Sequence, residues 1–163
     1  MALGDRIAWL LATAGGLGLA PAAPGTFGTL GGVVLAVVAQ VLVQGPALAV
    51  TLALLALVLL AIGCRLGPFA LRVLGGEDPR SFVLDEVVGY LVTLTLAAAV
   101  LGDPTPLTHA VAFAWFRAFD VVKPPPIRRL EHLPGGCGIM MDDVMAGLYA
   151  GVGVLILGRV GWA

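Results

Sequence analysis

A run of nineteen residues without a charged side chain is the feature that most constrains the fold of this chain. It extends from Pro46 to Cys64 and reads PALAVTLALLALVLLAIGC. At a rise of about 1.5 Å per residue, a helix of this length comes close to crossing a hydrocarbon core about 30 Å thick. The rest of the chain is similar in character, because 60% of its 163 residues are hydrophobic and 12% are charged. We therefore predict an integral membrane protein rather than a soluble domain.

Further apolar runs predict additional membrane helices. They extend from Phe27 to Val43, from Val87 to Leu101 and from Val144 to Leu157, with a shorter run from Leu107 to Phe119. The shorter runs need flanking residues, tilt or local thinning of the bilayer to cross it. The strict alternation of apolar and polar residues that is typical of strands is absent. The expected fold class is therefore all-α, a polytopic membrane bundle of about five to six helices that forms a single domain over residues 1–163.

Basic residues in the connections between the apolar runs predict the orientation of the bundle. One connection contains Arg65, Arg72 and Arg80, and another contains Lys123, Arg128 and Arg129. The connections QGPA and LGDPTPLTH contain no lysine or arginine. We expect the two basic connections to face the cytoplasm, together with the N-terminal segment. That segment lacks the pattern of a cleaved signal peptide, so we expect it to remain in the mature protein.

Neither the net charge nor the cysteine and histidine residues indicate a nucleic-acid site or a zinc site. The formal net charge is −1, and no basic stripe that could neutralise phosphates along a duplex is present. Cys64 and Cys137 would lie on the cytoplasmic side, where disulfides are rare, so we expect free thiols. His109 at the outer end of a span and His132 in a cytoplasmic connection lack partners at metal-ligand spacing.

Five acidic residues converge on one membrane face under this topology. Asp85 and Glu86 lie where the third span begins, Asp120 where the fourth ends, and Asp142 and Asp143 where the fifth begins. A single acid at a helix start can be explained by capping or by the helix dipole. Doubled acids repel each other, and carboxylates held near hydrocarbon are costly and usually functional. We therefore predict one shared functional site at the cytoplasmic interface.

Glycine spacing predicts how the two acid pairs are brought together. Gly89 follows Asp85 by four residues, and Gly147 follows Asp143 by four. Small residues at these positions would allow the third and fifth helices to approach closely.

Oxygen ligands of this kind suit Mg²⁺, which takes one or two carboxylates together with water and substrate phosphate. The candidate metal ligands are Asp85, Glu86, Asp142 and Asp143. Nearby cations would then contact the phosphate itself. Lys123 follows Asp120 by about one helical turn, so the amine and the acid can point at one place. The alternative is that Lys123, Arg128 and Arg129 only hold anionic lipid headgroups.

The N-terminal stretch APGTFGTLGG places Gly25, Thr26 and Thr29 in a glycine-rich segment ahead of a helix. Such an arrangement can present N–H groups and hydroxyls to a phosphate. A simple helix cap is the alternative explanation.

Taken in order, PGTFGTLGG, VLDEVVGYLVTL, FRAFDVVKPPPIRRLE and GGCGIMMDDVMAGLYAG resemble the motifs of the phosphatidylglycerophosphatase A family. The resemblance implies an all-helical, Mg²⁺-dependent inner-membrane phosphatase that converts phosphatidylglycerophosphate in the bilayer to phosphatidylglycerol. By position, the acidic motifs of the family fall on Asp85 with Glu86, on Asp120 with Lys123, and on Asp142 with Asp143. Its Gly-Thr motif falls on Gly25 and Thr26. The chain departs from the pattern at Leu84, Val122 and Pro125, where we expect aromatic residues.

We predict catalytic roles for Asp120, Lys123 and Asp143, and substrate contacts from Gly25, Thr26, Thr29, Lys123 and Arg128. Asp120 could position Lys123, bind metal or attack phosphorus, and the nucleophile could be water or a carboxylate. A Cys-x5-Arg loop is absent from the sequence, because Asp143 is the sixth residue after Cys137. Two other functions compete with a phosphatase: a small cation transporter using the interfacial acids, and a non-catalytic subunit that binds membrane lipids.

Overall fold

The structure, a computed structural model, describes residues 3–74, 79–130, 133 and 136–162. It is helical, and no strand occurs in these ranges. The α-helices are α1 (Leu3–Ala12), α2 (Pro24–Leu42), α3 (Pro46–Val73), α4 (Leu84–Leu101), α5 (Pro106–Val122), α6 (Ile127–Leu130) and α7 (Gly136–Leu157). A 3-10 turn at Leu17–Leu19 precedes α2, and a π-helical turn at Gly158–Trp162 follows α7. The all-α prediction is confirmed, and the single domain over residues 1–163 stays a prediction.

Four helices are long and apolar enough to cross a membrane: Pro24–Leu42, Pro46–Ala70, Leu84–Leu101 and Gly136–Gly161. Each contains one of the predicted apolar runs. The fifth run lies in α5, which has 17 residues. Proline occupies the start of α2, α3 and α5, where the missing N–H removes no helical hydrogen bond. These prolines thus coincide with the starts of three helices.

α4 is the centre of the bundle. Of its residues, 61% are buried, against 28% of the most apolar stretch of each of the other three candidate spans. α2, α3, α5 and α7 all pack against it. Because α4 begins with Asp85 and Glu86, its central position places these acids where the starts or ends of several helices meet.

The two connections without basic residues meet at one end of the bundle. The Gly45 N–H donates to Asp103 Oδ1 at 2.8 Å, and Gln40 Nε2 donates to the Pro104 carbonyl at 2.8 Å. At the opposite end, the Val83 N–H just before α4 donates to the Ala12 carbonyl of α1 at 2.9 Å. The two connections without basic residues therefore lie at one end of the bundle and the start of α4 lies at the other, while the alternation of spans across the membrane and the side that faces the cytoplasm stay predictions.

Close contact between α4 and α7 at Gly89 and Gly147 confirms the glycine prediction. A Cβ built on Gly147 would lie 3.1 Å from the Gly89 carbonyl carbon, and one built on Gly89 would lie 2.7 Å from the Asp143 carbonyl oxygen. The Thr93 hydroxyl is 3.0 Å from the Gly89 carbonyl oxygen and 3.1 Å from that of Gly147, so it links the two helices. The backbones can approach this closely only because both positions lack a side chain.

The prediction of free thiols is wrong, because Cys64 of α3 and Cys137 of α7 form a disulfide in the structure. Their Cα atoms lie 4.5 Å apart. The helices meet at Gly67 and Gly136, where a Cβ on Gly136 would lie 2.5 Å from the Cys64 carbonyl oxygen. The prediction of free thiols rests only on the expected compartment of the two cysteines. Their separation of 73 residues in the sequence does not indicate that the fold brings them together.

Candidate active site

Three carboxylates gather at the end of the bundle where α4 begins. One oxygen from each of Asp85, Glu86 and Asp143 lies within 4.8 Å of the others. Asp85 and Glu86 occupy the first turn of α4, whereas Asp143 lies about two turns into α7, which begins at Gly136. Capping of a helix start therefore does not explain Asp143 or its neighbour Asp142. The close crossing at Gly89 and Gly147 brings the two helices together one turn beyond the acids.

These acids are removed from solvent to an extent that is unusual for charged groups. Asp85 is 8% exposed and Asp143 is 3% exposed. Glu86 Oε2 is buried and makes no hydrogen bond to the described residues. Carboxylates this close together and this buried need a cation or protons to offset their charge. Three oxygen donors with an unsatisfied buried oxygen among them fit a hard cation such as Mg²⁺.

Asp142 is engaged by a lysine from a neighbouring helix. Lys123 Nζ donates to Asp142 Oδ2 at 2.7 Å, and Asp142 is 5% exposed. Lys123 follows α5 with a left-handed backbone (φ 46°) just before Pro124, and this turn directs the chain toward α7. Asp142 thus holds the ammonium group next to the three carboxylates, and its predicted role as a metal ligand stays a prediction.

Asp120 is paired with Arg117, which lies one turn before it on α5. The sequence predicts that Asp120 and Lys123 point at one place. In the structure, Asp120 forms an ion pair with Arg117, and Lys123 forms one with Asp142. The Asp120 carboxyl also lies close enough to Asp143 and Glu86 to interact with their charges. Arg117 lies three residues before Asp120, a spacing that is typical of a helical ion pair, so the sequence alone could have indicated this pair.

The start of α2 closes the other side of the site. Gly25 is the second residue of α2, and its backbone contacts the Glu86 carboxylate. A Cβ built on Gly25 would lie 3.0 Å from Arg117 Nη1, so a side chain here would displace the acid or the arginine. The N-terminus of α2 also directs the positive end of its helix dipole toward these groups. Proximity of the glycine motif to the acids could be inferred from sequence only through the resemblance.

The two threonines of this motif lie inside α2 rather than in a loop ahead of it. Thr26 is partly buried in the first turn. Thr29 is fully buried, and its hydroxyl donates to the Gly25 carbonyl at 2.9 Å. This bond directs the Thr29 hydroxyl toward its own helix. The roles of Thr26 and Thr29 in substrate binding stay predictions.

The remaining predicted residues lie at the edge of the site or away from it. Arg128 of α6 is exposed and donates to the Val122 carbonyl at 3.5 Å. His109 lies at the opposite end of the bundle, as expected, where its ring nitrogens are 2.8 Å from the Tyr90 hydroxyl and 3.1 Å from Gln40 Oε1. His132 lies outside the described residues.

Comparison with known proteins identifies the same family that the motifs of this site resemble. The sequence model of the family described as phosphatidylglycerophosphatase A matches residues 10–158. A Bacteroides thetaiotaomicron protein, provisionally named a phosphatidylinositol-3-phosphatase, is 40% identical over 86% of this chain and 87% of its own length. A Haemophilus influenzae protein named phosphatidylglycerophosphatase A is 39% identical over 86% of this chain and 82% of its own length. An Escherichia coli protein of the same name is 36% identical over 85% of this chain and 76% of its own length.

A search of solved structures found no match. The family match covers α2 to α7 and therefore includes every residue placed above in the site. The extent of this match, together with three relatives that align over most of both chains, shows that the chain belongs to the phosphatidylglycerophosphatase A family.

Proposed function

We propose that the protein is a Mg²⁺-dependent lipid phosphatase that hydrolyses phosphatidylglycerophosphate to phosphatidylglycerol and phosphate at the cytoplasmic membrane interface. The observation that supports this proposal most directly is the cluster of Asp85, Glu86 and Asp143 beside two cationic side chains at one end of a membrane bundle. A site at the end of the spans suits a substrate whose phosphate lies at the membrane surface. The choice of substrate rests on two relatives that are named phosphatidylglycerophosphatase A.

Asp85, Glu86 and Asp143 would hold the Mg²⁺. A bound Mg²⁺ would polarise the phosphoryl group and offset negative charge on its oxygens. The three carboxylates alone would repel a phosphate monoester, so they suit this substrate only as cation ligands. The buried Glu86 Oε2, which has no hydrogen-bond partner in the described part of the chain, supports this assignment.

The chain supplies two cations for the phosphate oxygens. The side chain of Lys123 is 23% exposed, whereas the side chain of Asp142, which holds its ammonium group in place, is 7% exposed. Arg117 is 21% exposed and is held by Asp120 in the same way. Charge-assisted hydrogen bonds from such fixed donors stabilise charge that develops on the transferring phosphoryl group. Asp120 and Asp142 would then act by positioning these cations.

Lys123→Met tests this role of the ammonium group. We expect kcat/KM to fall by about 10²-fold, the loss typical when one fixed donor to a transition state is removed. Lys123→Arg should retain part of the activity because the positive charge remains. Lys123→Met also leaves Asp142 buried beside an apolar chain, so the melting temperature should fall as well.

The double variant Lys123→Met/Asp142→Asn separates the two effects. It removes the buried charge, so we expect the melting temperature to recover while kcat/KM stays low. Wild-type kcat/KM in a folded Lys123→Met protein would contradict a catalytic role for Lys123.

Phosphate release by the detergent-purified protein tests the proposed function as a whole. We expect release from phosphatidylglycerophosphate with Mg²⁺, loss of release with a chelator, and recovery when excess Mg²⁺ is added. Phosphatidylinositol 3-phosphate should be assayed in parallel, because one relative is named for that substrate. Release that chelation does not change would overturn the Mg²⁺ dependence. Absence of release from both lipids by folded protein would overturn the phosphatase and favour ion transport.

A further inference from the structure

We propose that an apolar groove next to the carboxylates binds one acyl chain of the lipid substrate, and this proposal rests on the proposed function. The groove has a volume of about 600 Å³ and lies between α1, the 3-10 turn, α2, α3 and the start of α4. Its volume is within the range of about 300–1,000 Å³ that is typical of ligand sites. Its walls include Leu10, Leu17, Leu30, Val34, Leu59 and Val87.

The groove begins at the same end of the bundle as the acid cluster. Leu84 and Val87 line the groove, and they lie in the first turn of α4, which also contains Asp85 and Glu86. On α2, the groove lining begins at Phe27, two residues after Gly25, whose backbone contacts the Glu86 carboxylate. A lipid chain in this groove would therefore place its headgroup at the end of the bundle where the carboxylates lie.

The depth of the groove matches one membrane leaflet. Its lining extends along α2 as far as Val34 and Leu35. From Phe27 to Leu35 the helix advances eight residues, which at about 1.5 Å per residue gives a depth of about 12 Å. Half of a hydrocarbon core about 30 Å thick is close to this value. The groove thus has the length that one chain of a phospholipid occupies below its headgroup.

The groove is concave because small residues form its floor. Gly31 lies between Leu17 and Val87, and a Cβ built on it would lie 2.8 Å from Leu17 Cδ1. Ala14 and Gly15 line the wall that connects α1 to the 3-10 turn. Larger side chains that line the groove remain partly exposed, since Leu30 is 43% exposed and Val34 is 64% exposed. An apolar chain in this position would cover surface that the described helices leave open.

Val34→Trp fills the deep end of the groove, and Val41→Trp is its matched control. Val41 lies two turns further along the same face of α2, is 75% exposed and does not line the groove. Both variants should be assayed on phosphatidylglycerophosphate with sixteen-carbon chains and with six-carbon chains. A six-carbon chain is too short to reach Val34, so its hydrolysis provides the internal reference.

We expect Val34→Trp to lower kcat/KM for the long-chain substrate about tenfold, through a higher KM, because the loss of part of one apolar contact surface has an effect of about this size. The kcat/KM of Val34→Trp for the short-chain substrate should be unchanged. The kcat/KM of Val41→Trp should be unchanged for both substrates. Equal effects of Val34→Trp on both chain lengths, or no effect on either, would overturn the groove as an acyl-chain site.

Photolabelling of the wild-type protein separates failure of the groove from failure of the proposed function. The probe is phosphatidylglycerol with a diazirine near the end of one acyl chain, which needs no hydrolysis to bind. Labels on residues 10–35, reduced in Val34→Trp and retained in Val41→Trp, would support the groove even if no lipid is hydrolysed. Labels spread evenly over the exposed faces of α2, α3 and α7 would overturn it.

Discussion

Asp143→Asn should lower kcat/KM for phosphate release by about 10³-fold, the upper end of losses found when one polar group that supports a transition state is removed. Asp143 is the only member of the three-carboxylate cluster that comes from α7, and it is 3% exposed. An asparagine keeps the shape of the side chain but removes the negative charge. The loss should therefore reflect weakened cation binding rather than repacking, and it should diminish at high Mg²⁺ concentration.

The same variant should respond differently to Mg²⁺ in a thermal unfolding experiment. Ligand at about 100 times its Kd stabilises a protein by about 2.7 kcal/mol, so Mg²⁺ should raise the melting temperature of the wild type. In Asp143→Asn we expect a higher melting temperature in chelator, because three crowded carboxylates become two, and a smaller rise with Mg²⁺.

Asp103→Asn is the matched control for Asp143→Asn. Asp103 lies at the opposite end of the bundle and accepts from the Gly45 N–H, a role that an asparagine oxygen can also fill. The control should keep wild-type activity and the wild-type response to Mg²⁺. An unchanged Mg²⁺ response in Asp143→Asn would contradict the assignment of Asp143 as a cation ligand.

Gly147→Val should disrupt both the stability of the bundle and its activity. A Cβ at this position would collide with the Gly89 carbonyl, which is backbone and cannot move without shifting α4. Overpacking of a close contact costs about 1–3 kcal/mol, and here it also separates the Thr93 hydroxyl from the Gly147 carbonyl. Because the acids lie one turn away, a shift of α4 against α7 should pull the carboxylates apart and reduce activity about 10²-fold.

Thermal unfolding and phosphate release of the same preparation measure the two effects of Gly147→Val. Gly147→Ala should give smaller losses of both quantities. Gly4→Val is the control, because a Cβ on Gly4 of α1 meets no atom within 4 Å. A Gly147→Val protein with wild-type melting temperature and wild-type activity would show that close approach of the two helices is not needed for the site.

The sequence was sufficient to predict the five long helices and the gathering of acidic residues at one end of the bundle. Uncharged runs mark the spans because the bilayer excludes charged side chains, and alternation of the spans then places Asp85, Glu86, Asp120, Asp142 and Asp143 at one end. Glycine spacing predicted the approach of α4 and α7. These inferences depend on properties that each segment has by itself, or on counting the crossings between segments.

The partners of individual side chains could not be predicted in the same way. The spacing of Lys123 from Asp120 along the chain predicts that the two lie close together, but it does not reveal that packing of α7 against α5 brings Asp142 to Lys123. The disulfide between Cys64 and Cys137 likewise depends on where α3 and α7 cross. The start of α7 at Gly136 lies earlier than the uncharged run from Val144 indicates, because the run excludes the two aspartates that α7 contains. Such details depend on packing between helices.

The placement of Asp143 on α7 has a consequence for biosynthesis of the protein. A chain that emerges from the ribosome inserts α4 and α5 before α7, so Asp85 and Glu86 reach the membrane first. A product truncated before α7 lacks the third carboxylate of the cluster as well as Asp142, the partner of Lys123. Under the proposed function, catalytic competence would therefore appear only after α7 has been inserted, and a product truncated before α7 would be inactive.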